Sequence, residues 1–206
     1  MASERVSDRE WIADYFQGKT GRFLDIGAFD GYGGSSLTFP LSEAGWHGVL
    51  VEPHPKWFQI MRERLGNNPR LELVHAAITA EAGLVTFWGD DRGEVSTVAE
   101  NWRARFATGY NVPYARYHVA TITPAQLIAA FGGPRDWRFV SIDAEGVSIE
   151  LAMLLPWAEM VDTEILTVEW DRICQPRHDE LIPFMAPWFN VERSDATNII
   201  FKRKGA

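Results

Sequence analysis

Short apolar runs, several of them unbroken by any charge, alternate along this chain with stretches whose apolar positions recur every three or four residues. The first kind predicts strands over residues 22–25, 48–52, 71–75, 138–143, 164–169, 190–193 and 198–202. The second predicts helices over 10–17, 41–44, 56–65, 124–131, 148–155 and 179–184. Runs such as Val49-Leu50-Val51 have no polar face, which is the mark of a strand covered on both sides. Seven such strands separated by helices predict an α/β domain with a doubly wound, mostly parallel sheet. Thr123-Pro124-Ala125-Gln126 supplies an N-cap, a proline at the first helical position and a reciprocal glutamine three residues on, so a helix begins there. Pro40 sets a helix start near itself and leaves 32–39 as a long loop. Between 84 and 121 the periodicity is mixed, strand-like at 84–88 and then rich in aromatics. That segment predicts an insertion covering the active site, its aromatics read as core beneath a lid. No repeat or linker marks a second domain.

Composition narrows the partners. The 206 residues carry a formal charge of −8 and no basic run beyond Lys202-Arg203-Lys204, which argues against nucleic acid held through its phosphates. Cys174 is the single cysteine, so no internal disulfide forms and nothing signals an oxidising compartment. The first twenty residues mix charges throughout, and no stretch approaches the roughly 20 apolar residues of a membrane span. A soluble, cytoplasmic protein is expected, and nine tryptophans make a homo-oligomeric contact conceivable.

The densest chemistry lies in Phe23-Leu24-Asp25-Ile26-Gly27-Ala28-Phe29-Asp30-Gly31, where a buried strand runs into a glycine-bearing turn. Glycines there predict close approach of a ligand to the backbone. The pattern differs from the GxGxxG dinucleotide fingerprint by placing Asp25 where a pyrophosphate would need glycine. A carboxylate suits a cationic or hydroxyl-bearing ligand, such as the amino group of S-adenosylmethionine (SAM), and disfavours an NAD-dependent dehydrogenase. Glu52 ends the second strand 25 positions after Gly27, close to the roughly 20-residue offset at which an acid accepts ribose hydroxyls. Pro53 and Pro55 stiffen the chain beyond it, and His54 between them reads as an exposed turn residue. Asp143 and Glu169 end two further strands, so four strand ends present carboxylates on one edge. Acids are depleted in strands and costly to bury, which makes that coincidence functional.

The runs FLDIGAFDGYGGSSLTFPLSEAGWHGVLVEPHP, AAIT, FVSIDAEGVSIELAMLLPW and TVEWD resemble the FkbM-type methyltransferases, a family of class I SAM-dependent enzymes, over residues 23–201. The resemblance implies a Rossmann-like seven-stranded sheet with helices on both faces and its last strand antiparallel. It implies that Asp25, Gly27, Ala28, Phe29, Asp30 and Gly31 line the methionine part of SAM. Glu52 with Pro53 would hold the ribose, and Ala76 and Ala77 the adenine. Two departures stand out. His54 replaces the asparagine usual after the acid and proline, and the acid expected two positions past the glycine of Asp143-Ala144-Glu145-Gly146 is delayed to Glu150.

Methyl transfer to an aliphatic hydroxyl needs a base or a metal to free the lone pair. Asp143 and Glu145, at i and i+2, are the catalytic candidates. Glu169, followed by Asp171, would join Asp143 around a hard cation such as Mg²⁺, as in metal-dependent O-methyltransferases. The alternative is that Glu169 pairs with Arg172 or Arg177. His178 reads as a solvated helix-start residue. The leading expectation is O-methylation of a sugar or natural-product small molecule, with N-methylation open. The alternative is a catalytically silent module that binds SAM or S-adenosylhomocysteine (SAH).

Overall fold

A computed structural model describes residues 6–33, 36–93, 95–170 and 177–206. Asp171, Arg172 and Cys174 lie outside the described residues. The main sheet has seven strands in the spatial order β3 (Leu71–Val74), β2 (His47–Val51), β1 (Arg22–Ile26), β7 (Phe139–Ile142), β8 (Ile165–Glu169), β10 (Asn198–Arg203) and β9 (Phe189–Ser194). The first five run parallel, while β10 is antiparallel to both of its neighbours. The last strand of the chain is thus the reversed one, as the resemblance implies.

Each central strand is apolar on both sides because helices cover both sides. On one face Leu24, Ile26, Val140, Ile142, Leu166 and Val168 pack against α5 (Pro124–Ala130), α6 (Ser148–Leu154) and α7 (His178–Met185). On the other, Phe23, Phe139, Ile165 and Ile200 meet α1 (Asp8–Tyr15), α2 (Phe39–Glu43) and α3 (Pro55–Leu65) through Ile12, Leu41 and Met61. Every side chain buried this way contributes roughly 1.5–3 kcal/mol. The capping box read from Thr123 and Gln126 is formed, with reciprocal bonds of 3.2 and 2.9 Å. A second one, Ser7 with Glu10, starts α1 two residues before the expected helix.

The segment from Ala77 to Ile122 builds a separate three-stranded sheet. Here β4 (Ala77–Ile78) pairs parallel with β6 (Tyr114–Ile122), which pairs antiparallel with β5 (Gly83–Asp90). Between β5 and β6 lies α4 (Glu100–Gly109), whose Trp102 is buried against the turn before α6. The sequence reading found only part of β5, because β6 alternates arginine and histidine with apolar residues and reads as polar. Among the described residues no helix is long and apolar enough to cross a membrane.

Candidate active site

Strand order reverses between β1 and β7, and in open α/β sheets ligands bind at that point, beyond the carboxyl ends of the strands. The chain leaves β1 through Gly27, at φ +86°, and a Cβ there would lie 1.7 Å from the Asp143 carbonyl oxygen. Gly31, at φ +64°, faces Leu65 and Leu50, which a Cβ would approach to 2.8 and 2.9 Å. These glycines therefore make room for the end of β7 and for the packing of α3.

Glu52 sits one step beyond β2 and is held by main-chain donors. Glu52 Oε2 accepts the Phe29 N–H at 2.8 Å, and Oε1 accepts the His54 N–H at 2.7 Å. Burial nevertheless pushes the Glu52 pKa up to about 8, against the pull of those two bonds. Asp25 accepts the hydroxyl of the fully buried Thr38 at 2.6 Å, and burial lifts its pKa to about 7. Asp30 is spent on its own loop: Oδ1 accepts the N–H groups of Tyr32 and Gly33, and Oδ2 pairs with Arg64 at 2.7 Å.

Two cavities open along this edge. The first, about 280 Å³, is lined by Glu52, Pro53, Ala76, Ala77 and Glu145, together with Ser96, Thr97 and Val98 from the segment after β5. The second, about 310 Å³, is lined by Asp25, Ala28, Asp30, Ser141, Thr167 and Glu169, with Ser7, Asp8 and Arg9 of the first turn of α1 opposite. Gly27, Phe29 and Asp143 border both, so the cavities adjoin across these residues. Gly31 borders neither. The structure thus gathers every other sequence-predicted site residue around these two adjoining cavities.

Solvent reaches Asp143 through these openings, yet the protein packed around its carboxyl group holds its pKa above the usual carboxylate range. Asp143 and Glu145 lie in the turn after β7, with Glu145 at φ 21°, so their meeting does not depend on strand alternation. Carboxylate oxygens of Asp143, Glu145 and Glu169 come within 4.8 Å of one another. Ser148 steadies this corner, donating to Glu169 at 2.9 Å and accepting the Ala144 N–H at 2.8 Å. Thr97 donates to the Glu145 carbonyl at 2.6 Å, tying the insertion to the same turn. Arg177, the alternative partner for Glu169, pairs with Glu180 at 2.6 Å.

Two histidines differ from expectation. His54 is 1% exposed and caps α3, its Nδ1 accepting the Lys56 N–H, with its ring against Phe87 and Tyr117. An exposed turn was expected because Pro-His-Pro resembles a loop, and β5 covers it. His178 stacks on Trp170 at 4.5 Å with its Nε2 buried. It is packed rather than solvated because Trp170, the residue after β8, reaches over it. Sequence reasoning missed Ser141, Thr167 and the α1 residues. For the first two a signal existed, a hydroxyl within the otherwise apolar runs FVSI and ILTVE; for Ser7, Asp8 and Arg9 there was none.

No curated protein matches this chain. Among solved structures it is similar to methyltransferase FkbM from Methylobacillus flagellatus KT, at 11% identity and a TM-score of 0.51, over 97% of this chain and 45% of that one. It is similar to monomeric WbdD at 12% identity and a TM-score of 0.52, over 98% and 42%. The ribosomal protein L11 methylase of Lactobacillus delbrueckii subsp. bulgaricus follows at 10% and 0.50, over 96% and 77%. These likenesses speak to the fold, and the chain spans less than half the length of the first two. The family model for the methyltransferase FkbM domain matches residues 25–190, most of the chain and all the strand-end acids, and by that match the chain belongs to the FkbM methyltransferase family.

Proposed function

We propose that this chain transfers a methyl group from SAM to a hydroxyl of a sugar or natural-product small molecule. The observation that carries this reading is that two adjoining cavities share Gly27, Phe29 and Asp143 as lining, which sets a donor site and an acceptor site on either side of one carboxylate. SAM, the donor that family membership implies, supplies the methyl group on a sulfonium centre. The chain's residues fit such a ligand. Glu52 keeps lone pairs for ribose hydroxyls after accepting its two backbone bonds, and Pro53, Ala76 and Ala77 form a mostly apolar wall for the base. Asp25, Ala28 and Phe29 receive the amino-acid end, with Asp30 shaping their loop.

Transfer requires the acceptor oxygen to face the methyl group in line and shed its proton. Asp143, at the junction and with a raised pKa, is placed to take that proton, with Glu145 beside it. Oxygens of Asp143, Glu145 and Glu169 form a hard donor set that would hold Mg²⁺, which would lower the acidity barrier of the hydroxyl. The second sheet and the segment between β5 and α4 close one side of the first cavity and act as the water-excluding cover. A silent SAM-binding module has no use for a second cavity with an acid at its mouth. Calorimetric titration of SAH into wild type, Glu52→Ala and Asp143→Asn tests the reading. SAH should bind wild type and Asp143→Asn alike and Glu52→Ala far more weakly; equal binding to all three would sink it.

A further inference from the structure

Beneath the second cavity the sheet is polar where its neighbouring positions are not. Asp25, Ser141 and Thr167 are register partners on β1, β7 and β8, so their side chains form one row across the sheet. Two residues earlier the same face carries Phe23, Phe139 and Ile165. Two residues later it carries Gly27, Asp143 and Glu169, with Asn198 opposite Glu169 on β10. The first turn of α1 roofs this floor. It is held by its capping box, by Arg193 donating to the Val6 carbonyl at 2.6 Å, and by Arg9 donating to the Gly33 carbonyl at 3.0 Å.

Asp25 has its partner in Thr38. Thr167 has none: it is 2% exposed, and its hydroxyl makes no hydrogen bond among the described residues. A buried hydroxyl without a partner is destabilising, and on a cavity wall the group that can complete it is a ligand. Resting on the methyl-transfer reading above, we propose that the β8–β10 half of this cavity is the acceptor subsite. It takes a polyhydroxylated group, a sugar or cyclic polyol, and Thr167 is its specificity-determining residue.

The lining decides the chemistry. A sugar hydroxyl both donates and accepts, and the walls offer both kinds of partner: hydroxyls of Ser141 and Thr167, the amide of Asn198, the carboxylate of Glu169 and the guanidinium of Arg9. A flat aromatic acceptor would want an apolar slot. The one ring on this wall, Phe29, is already packed on Trp57 at 4.1 Å. Sites built to hydrogen-bond a hydroxyl discriminate strongly against analogues that lack it.

The test uses saturation-transfer NMR on the SAH-loaded protein with D-glucose, L-rhamnose and myo-inositol as probes and catechol as the planar comparator. At least one polyol should give a signal and catechol none. Thr167→Val should weaken that polyol at least tenfold, leave SAH affinity unchanged, and melt above wild type without ligand because the unpaired hydroxyl is gone. Asn198→Ala should weaken the polyol severalfold with SAH unmoved, and it carries the test if Thr167→Val does not fold. Catechol binding with no polyol signal, no signal from any probe, or a Thr167→Val protein that binds polyol as wild type does or melts below it would overturn the proposal. Failure of wild type to bind SAH would defeat the methyl-transfer reading instead; polyol binding to that ligand-free protein, weakened by Thr167→Val, would still uphold the subsite.

Discussion

Glu52 and Phe29 fix one another: the carboxylate accepts the Phe29 N–H at 2.8 Å, and Phe29 stands at φ 54°, a left-handed conformation that side chains rarely adopt. The acid is thereby oriented before any ligand arrives, and the strain in the loop is held by the bond that orients it. Glu52→Ala should weaken SAH binding at least tenfold, about 1.4 kcal/mol or more. Glu52→Gln should weaken it less, since its carbonyl oxygen keeps one of the two backbone bonds and only the other position becomes an amide facing a backbone donor. Titration calorimetry of the two variants beside wild type measures both.

Burial raises Asp25 to about 7 and Glu52 to about 8 from ordinary values of 3.8 and 4.5. Between those limits the folded chain holds protons that the unfolded chain has released. Stability from these groups is therefore fully present below about pH 4 and lost as pH climbs through 7 to 8. Glu164 works in the opposite sense: burial lifts it, but Lys19 and Arg138 outweigh burial, so its contribution fades only below about 4.5. The Tm of the ligand-free protein should fall as pH rises from about 5.5 to about 8.5, and Asp25→Asn should flatten that slope. Differential scanning calorimetry across the range reads the effect; a Tm that rises with pH would refute it.

Gly27→Ala should be among the most damaging single substitutions in the chain. Its methyl group would collide with the Asp143 carbonyl, at a backbone angle already unfavourable for alanine. A loss of about 3 kcal/mol or more is expected, measured by urea unfolding. Gly45, also at positive φ but with nothing within 4 Å of its Cβ position, is the control and should lose about 1 kcal/mol.

If Asp143, Glu145 and Glu169 share a cation, chelation should lower turnover at least tenfold and added Mg²⁺ should restore it. Glu169→Gln should then raise the Mg²⁺ concentration needed while SAH affinity stays put. Turnover indifferent to chelator would leave Asp143 as an unassisted base, and Asp143→Asn should in that case cost about 10²-fold or more in kcat.

Trp102 is the point at which the second sheet's helix grips the turn carrying Glu145, its side chain 3.0 Å from where a Cβ on Gly146 would stand. Trp102→Ala should cost about 3–5 kcal/mol if the insertion unfolds with the rest of the chain. A smaller loss accompanied by a raised KM for the acceptor would mean that the insertion loosens alone.

How much of this was legible follows from what each residue answers to. The central strands β1, β2, β7 and β8 could be read because helices cover both of their faces, leaving largely apolar runs. Thr123 and Gln126 announce their helix because a capping box is wholly local. The second sheet escaped because β6 is polar on its outer face, and α4 because its start has no capping side chain. Asp25, Glu52 and Asp143 were found from their place at strand ends. His54 was misjudged, and Thr167 passed over, because the contacts that define them come from β5 and from neighbouring strands, many residues away.

The strand β4 begins at Ala77, within the wall proposed for the adenine, and among the described residues its one partner strand is β6 at the far end of the insertion. The insertion and the wall proposed for the adenine are consequently one piece of architecture. Grafting residues 79–122 from a relative to change what is methylated would exchange the strand that Ala77 leans on, so acceptor choice and grip on the donor cannot be re-engineered separately in this fold.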